Sequence, residues 1–545
     1  MMDGTISFRY EKGLKRIRVE SDAPELYGKL LEVFTVSNPS FFYEQQRGIE
    51  RATEFLSIIS PTGTFRPGMF IPIYKAALEL VDNDKGRIVI DDDSKTAIAE
   101  KCRPLNGVFS EDYEIEVLDK NRPFRYYQLD ALRQMLKYGT GICVSPTGSG
   151  KSYIMATLIN ELVKNTDRID YMKSKPRILV AVPTRQLVDQ LYKDFTEYGL
   201  TDVCKWTSNS GKKREGTFED NSCSDGFSRI VISNHKWLCD HYKSEKDIFP
   251  IKEIGCVIAD EVHTVGYRTQ ILKYVERINP KLRFGFTGTL PSFVFNKWVV
   301  IGTFGIPVYM AEIKKFQDEG FLSKIEIYPI RGVVKELEGN RKLLYSINHE
   351  LKLGDHMDDG TLVDTSLPFK MEHEFFDVNC KELYSPIFDR IFDIFDIENR
   401  NLIVLFDRIS IGKSIYEILD ESMSSSAVKV HYIDGSVDIA DRERIRSELE
   451  NSNGNILVAQ AVTASTGLNI RNLNGIAFAF AGKSFVRVIQ SIGRVIRLKD
   501  DGSTSQLFEI YFNSRYSDQH HDEKMDILRI QYGTDCIKRD EIVRI

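Results

Sequence analysis

The sequence predicts an α/β protein: two parallel, doubly wound sheets in tandem, preceded by a small α+β domain and followed by a short helical extension. Three observations carry this. From Gly141 short β-branched runs alternate with amphipathic helical stretches, the same grammar restarts after about residue 324, and the two ends of the chain follow neither pattern. The 545 residues, at roughly 150 per domain, allow three or four such bodies.

Element by element, residues 1–112 contain strands near Thr5 to Arg9, Arg16 to Val19 and Arg87 to Ile90, with helices near Ala23 to Val33 and Phe70 to Val81. The first sheet takes Ile142 to Val144, Ile178 to Val182, Ile230 to Ser233, Cys256 to Ala259 and Phe284 to Thr287. Its helices include one whose Leu187, Val188, Leu191, Tyr192 and Phe195 make one apolar face. The second sheet takes Ile325 to Ile330, Leu402 to Phe406, Val428 to Ile433, Ile456 to Ala459, Ile476 to Phe480 and Leu507 to Phe512. An acidic stretch at 331–380, with Asp355, Asp358, Asp359 and Asp364, interrupts it and reads as a disordered or solvated excursion. The expected domains are 1–112, 113–318, 319–513 and 514–545.

Composition narrows the function. A 42% hydrophobic and 28% charged chain is ordinary globular protein, not collagen-like or disordered. A net charge of −6 means that any nucleic-acid contact must use a local basic groove. No apolar run approaches the roughly 20 residues of a membrane helix, and the N-terminus has no secretory pattern, so a cytoplasmic protein with no membrane partner is expected. Eight scattered cysteines without a C-x-x-C read as reduced, buried thiols.

Ser145-Pro146-Thr147-Gly148-Ser149-Gly150-Lys151-Ser152 follows a strand and opens a helix, the setting of a phosphate-binding loop. Its glycines let backbone N–H groups turn around the phosphates, Lys151 adds a point charge, and the Ser152 hydroxyl ligates Mg²⁺. The general pattern opens with Gly where this chain has Ser145. About a hundred residues on, a strand ends in Asp260-Glu261-Val262-His263 at the crevice edge of the sheet. There Asp260 would hold Mg²⁺ and Glu261 would orient and deprotonate water. Gln490-Ser-Ile-Gly-Arg494-Val-Ile-Arg497 places two arginines on one helix face, suited to stabilising charge on a γ-phosphate.

These blocks resemble a DExH-type superfamily 2 helicase, and four more match in order: Arg125-Tyr-Tyr-Gln128, Pro183-Thr184-Arg185, Thr287-Gly-Thr289 and Ser465-Thr-Gly467-Leu-Asn469. The finer resemblance is to UvsW-type phage recombination helicases. It implies two RecA-like domains, a P-loop NTPase helicase core, using ATP and Mg²⁺ in the cleft between them. It further implies that Gln128 and Arg125 read adenine and that Thr184, Arg185 and Arg408 grip nucleic-acid backbone. Gly467 and Asn469 would face the nucleotide, although many relatives carry Asp where Asn469 stands, and Thr287 and Thr289 would couple phosphate state to strand position through His263 and Gln490.

The implied work is remodelling of branched DNA: branch migration, fork regression, unwinding of R-loops or D-loops. Partners would be branched, duplex or single-stranded DNA, RNA–DNA hybrids, and single-strand-binding or recombination proteins, in a host cytoplasm if the chain is phage-encoded. Rival readings are an RNA-directed helicase of the same superfamily, a non-unwinding DNA-translocating subunit of a restriction complex, and a binding protein with a dead ATP site. Lesser motifs fare worse: His520-His521 reads as solvated, Glu312-x-Lys314 and Glu350-x-Lys352 as chance matches to a nuclease, and Lys212-Lys-Arg214 as a surface turn or a phosphate contact. The basic residues Arg9, Lys12, Lys15, Arg16 and Arg18 form a hairpin that could lie along a duplex arm, the alternative being a solvated hairpin that packs on the first RecA-like domain. A chain starting near Glu111 is then expected to keep ATP turnover but lose preference for branched DNA.

Overall fold

A computed structural model describes residues 4–46, 52–84, 86–208, 216–219, 228–242, 253–266, 269–334, 367–467, 470, 472–479, 492–493 and 502–545. Two compact units result: Met1–Ser145 with Gly150–Met310, and Pro146–Ser149 with Ala311–Ile545.

In the first unit the N-terminal sheet has the order β5-β2-β1-β6, built from β1 (Thr5–Glu11), β2 (Arg16–Ser21), β5 (Thr64–Phe65) and β6 (Arg87–Ile90). β3 (Thr35–Ser37) and β4 (Phe55–Ser57) pair separately. Helices Pro24–Val33 and Phe70–Asp84 fall where apolar periodicity places them. A third, Asp92–Cys102, starts on an Asp91 side chain that caps the Ser94 N–H at 2.7 Å, a signal the apolar pattern does not show.

The large sheet of this unit runs β10-β9-β11-β8-β12-β13-β7-β14. Its strands are β7 (Thr140–Val144), β8 (Arg177–Val182), β9 (Val203–Ser208), β10 (Gly216–Glu219), β11 (Ile230–Asn234), β12 (Ile254–Ala259), β13 (Leu282–Thr287) and β14 (Pro307–Met310). All neighbours are parallel except the β10–β9 edge pair. Parallel strands covered on both faces must be apolar on both, and β7, β8 and β12 are buried at every position.

The N-terminal domain is not a separate bead. Ile6, Phe8, Phe65, Met69 and Ile73 belong to one continuous core with Ile142, Leu179, Val257, Val299 and Phe304 of the large sheet and its helices. Phe34 packs on Trp298 with ring centres 5.5 Å apart. Gly68 comes so close to helix Val294–Phe304 that a Cβ there would sit 2.1 Å from the Ile301 carbonyl oxygen. The basic hairpin makes ion pairs within its own unit. Arg18 bonds Glu11 at 2.8 Å, Arg9 lies 3.6 Å from Glu11 and Glu20, and Arg16 reaches Glu276 of the large-sheet domain at 3.0 Å. Three of its five cations are thus paired within the unit.

The second unit carries a seven-stranded, wholly parallel sheet of order β17-β18-β16-β19-β20-β15-β21. Its strands are β15 (Ile325–Val333), β16 (Leu402–Phe406), β17 (Lys429–Ile433), β18 (Asn455–Gln460), β19 (Gly475–Phe478), β20 (Ser505–Phe512) and β21 (Glu541–Arg544). The C-terminal extension is helical over Arg515–Tyr532, but β21 then returns to pair with β15. Its short EIVR run gives no periodic signal. The acidic excursion is partly ordered, since β15 extends to Val333 and helix Leu367–Val378 follows; residues 335–366 lie outside those described. Glu372 of that helix accepts bonds from Ser514 Oγ and the Ser517 N–H, at 2.8 and 2.9 Å, capping the C-terminal helix.

His520 and His521 are buried, against the solvated reading. His521 stacks flat on Tyr511 with 3.7 Å between ring centres, because the helix that bears it lies against β20. Of the seven described cysteines all are free thiols, four of them buried, and burial pushes Cys143 up to about 12. No helix among the described residues is long and apolar enough to cross a membrane.

Candidate nucleotide site

The phosphate loop leaves the end of β7, where the Ser145 N–H donates to the Thr287 carbonyl at 2.9 Å and ties the loop to the end of β13. Gly148 and Gly150 adopt φ of +86° and +85°, which L side chains rarely take. A Cβ at Gly150 would also sit 2.4 Å from Gln128 Nε2, so the Gln128 amide fills the space beside the loop. The Ser149 hydroxyl donates to the Pro146 carbonyl at 2.7 Å. Lys151 opens helix Lys151–Lys164, and its Nζ folds back to donate to the Ser145 carbonyl at 3.0 Å.

Asp260 and Glu261 follow β12 directly. Asp260 is buried, with its N–H donating to Ala181 O at 3.0 Å and its Oδ1 accepting the Glu261 N–H at 2.9 Å. Burial, then the Glu261 charge, pushes the Asp260 carboxyl up, and Lys151 opposes the rise. Glu261 sits at φ +49°, a left-handed conformation costing a non-glycine residue on the order of 1–2 kcal/mol, which turns its side chain away from the strand direction.

His263 links two strand ends. Its Nδ1 lies 3.2 Å from Glu261 Oε2 and 3.0 Å from Thr287 Oγ1. The Thr287 hydroxyl donates to the Thr289 carbonyl at 2.6 Å, so toward His263 it offers only a lone pair. Nδ1 must therefore carry the proton that Thr287 and Glu261 share. Thr289 closes the turn, its N–H 3.3 Å from Thr287 Oγ1 and its own hydroxyl oxygen buried without a partner.

The remaining expected residues divide. The Arg125 N–H donates to Gln128 Oε1 at 3.1 Å in a capping box opening helix Tyr126–Tyr138, and the Arg125 guanidinium bonds the Tyr127 hydroxyl at 2.9 Å. Thr184 caps helix Arg185–Glu197 through the Leu187 N–H, at 3.3 Å, and Arg185 is the helix's first residue. Arg408 precedes helix Ile409–Met423, but its guanidinium lies 2.5 Å from Asp377 and does not stand as a lone cation. Gly467 ends helix Ala461–Gly467. Asn469, Gln490, Arg494 and Arg497 lie outside the described residues, as do Lys212 to Arg214.

Two family models match the chain: the type III restriction enzyme res subunit over residues 121–292 and the helicase conserved C-terminal domain over 388–499. The chain belongs to the superfamily 2 helicases. This helicase is 23% identical over 440 residues to the ATP-dependent DNA helicase uvsW of Enterobacteria phage T4, covering 78% of this chain and 77% of that protein. Over a shorter span of 173 residues it is 26% identical to the ATP-dependent DNA helicase MPH1 of Saccharomyces cerevisiae, 31% of this chain and 16% of that one. Its fold is shared with a fragment of a putative type I restriction HsdR subunit from Vibrio vulnificus, at TM-score 0.53 and 17% identity, over 80% of this chain and 72% of that fragment. The helicase is an ATP-hydrolysing enzyme.

The residues present fit a nucleotide with its cation. Gly148 and Gly150 give the loop the left-handed backbone that turns its N–H groups around a phosphate, and Ser152 and Asp260 offer hard oxygen donors of the kind Mg²⁺ takes. Among the described residues no three His, Cys, Asp or Glu side chains cluster as a metal cage, so such an ion would share its shell with phosphates and water. Sequence reasoning missed Tyr198 and Arg122. The Tyr198 hydroxyl lies 3.2 Å from Ser152 Oγ, while Arg122 covers its ring at 5.3 Å and Tyr153 meets it edge-on at 5.0 Å. Tyr198 stands at the end of the helix that Thr184 begins, where a lone aromatic gives no motif; Arg122, three residues before Arg125, was the only available hint.

Proposed function

We propose that this helicase is an ATP-driven DNA motor that remodels branched DNA by branch migration, fork regression and unwinding of R-loops or D-loops. The observation that supports it most is the Glu261–His263–Thr287 link. It joins the residue that would activate water to the strand-end turn of Thr287 and Thr289, to which the resemblance gives the coupling of phosphate state to strand position. In this reading Glu261 takes a proton from the attacking water, and His263, sharing its Nδ1–H, registers the change in Glu261 charge at Thr287. Lys151 and the loop N–H groups hold the phosphates, and Gln128 with Arg125 positions the base.

A bound Mg²⁺ would neutralise developing phosphate charge, with Ser152 and Asp260 as its protein ligands. For Ser152 this requires its hydroxyl to exchange Tyr198 for the ion. Thr184 and Arg185 would contact DNA backbone, Arg408 would do so in competition with Asp377, and Gly467 and Asn469 would face the nucleotide. Arg494, Arg497 and Gln490 keep the hydrolytic and coupling roles that the resemblance implies.

A second reading has its own support, because both the res-subunit model and the HsdR-like fold come from restriction systems. There the motor would translocate without separating strands. ATP turnover measured side by side with single-stranded DNA, duplex, four-way junction, fork and RNA tests the proposal. Strongest stimulation by junction or fork supports it, equal stimulation by linear duplex favours the translocase, and stimulation by RNA alone contradicts both.

A further inference from the structure

A basic cavity lies in the first unit, between the N-terminal domain and the large-sheet domain, with a volume of about 150 Å³. Its charged lining is Lys15, Arg16, Arg66, Lys101 and Arg283 against a single carboxylate, Glu276. That carboxylate is already committed, its Oε1 accepting from Arg16 at 3.0 Å and Arg66 at 2.8 Å. Arg283 Nε is fully enclosed and has no acceptor, while its Nη2 reaches only the Lys101 carbonyl at 3.3 Å.

An enclosed guanidinium N–H without an acceptor costs free energy, and four cations beyond the single carboxylate repel one another. Burial first, then Arg283, Lys281 and Lys15, bring the Lys101 amine down to about 8. An anion relieves both costs at once. We propose that this cavity is a phosphate-binding site, in which Arg66, Lys101 and Arg283, supported by Arg16 and Lys15, hold one phosphate group. The volume is below the roughly 300 Å³ at which small-molecule pockets begin, so it suits a single oxyanion with water and not a nucleotide with its base. It is also separate from the nucleotide site: Arg283 is near the start of β13 and Thr287 at its end, roughly 13 Å apart at about 3.3 Å per residue. The phosphate comes either from a nucleic-acid backbone engaged at the domain seam or from free phosphate in solution.

Thermal unfolding of the full-length protein in potassium phosphate, against potassium chloride of equal ionic strength, tests this in wild type, Lys101→Met, Arg283→Met and Lys95→Met. Phosphate stabilises proteins non-specifically, so the difference between variants is the readout. Lys95 is on the same helix as Lys101 but outside the cavity. The phosphate-dependent rise in Tm should persist in Lys95→Met and fall by about half or more in the other two. Lys101→Met removes a crowded cation, so it should be no less stable than wild type in chloride, which separates lost binding from misfolding. Equal phosphate gains in all four proteins overturn the site. The source follows from DNA affinity against salt. A log–log slope smaller by about one in Lys101→Met identifies a backbone phosphate, and an unchanged slope beside a lost phosphate gain identifies free phosphate.

Discussion

Glu261 and Lys151 are both expected to be indispensable, for different reasons. Glu261→Gln keeps the side chain's shape but loses its basicity, so ATP should bind with near wild-type affinity while turnover falls on the order of 10²–10⁴-fold. Lys151→Ala removes charge from the phosphates and should weaken nucleotide binding itself, and a nucleotide-binding titration on each variant separates the cases. Another residue sets acid sensitivity. His235 has an enclosed Nε2 with no partner, and burial brings its imidazole down to about 4. Because the folded value lies below the unfolded one of about 6.5, the unfolded chain binds the extra proton. Stability is therefore full above pH 6.5 and lost as pH falls toward 4, by up to about 3 kcal/mol. In His235→Gln, denaturant midpoints should fall less between pH 7 and pH 5 than in wild type.

Among elements, the C-terminal helix depends on a buried charge pair. Lys524, 2% exposed, lies 2.5 Å from Glu509 of β20, which is 0% exposed. Lys524→Met leaves the buried Glu509 carboxylate facing only the more distant His521 Nδ1, at 3.8 Å, so it should cost roughly 3–5 kcal/mol, and the double change Lys524→Met with Glu509→Leu should recover much of it. A double-mutant cycle in urea measures this. The same helix shows where sequence reading stops. The parallel core strands were legible because burial on both faces demands continuous β-branched runs, and β8, β12 and β16 carry them. Four strands at or next to a sheet edge were not: β9, β10, β14 and β21 gain their place from pairing, and their own sequences alternate weakly. His520 and His521 were misread because two polar residues in a polar helix reveal nothing of the sheet behind them. At the site, loop and strand-end residues were legible as motifs, whereas Tyr198 reaches Ser152 only through tertiary packing.

At the scale of the whole molecule, the N-terminal domain shares its apolar core with the first large sheet. Each buried Ile, Leu or Phe that loses its cover forfeits roughly 1.5–3 kcal/mol. A chain beginning near Glu111 should therefore aggregate or unfold at markedly lower temperature than the full protein, and not persist as a motor with altered preference. Differential scanning of the two would show it, and a truncated protein with unchanged Tm would mean that the shared core is dispensable.

Whether ATP hydrolysis at Glu261 drives rearrangement of branched DNA is read by following a labelled model fork. Product strands are resolved over time for wild type and Glu261→Gln, with ATP consumption measured in the same tubes. Wild type should convert forks to regressed or unwound products in step with ATP hydrolysis, and Glu261→Gln should bind forks and convert none. Vigorous hydrolysis by wild type with every fork left intact would contradict the account.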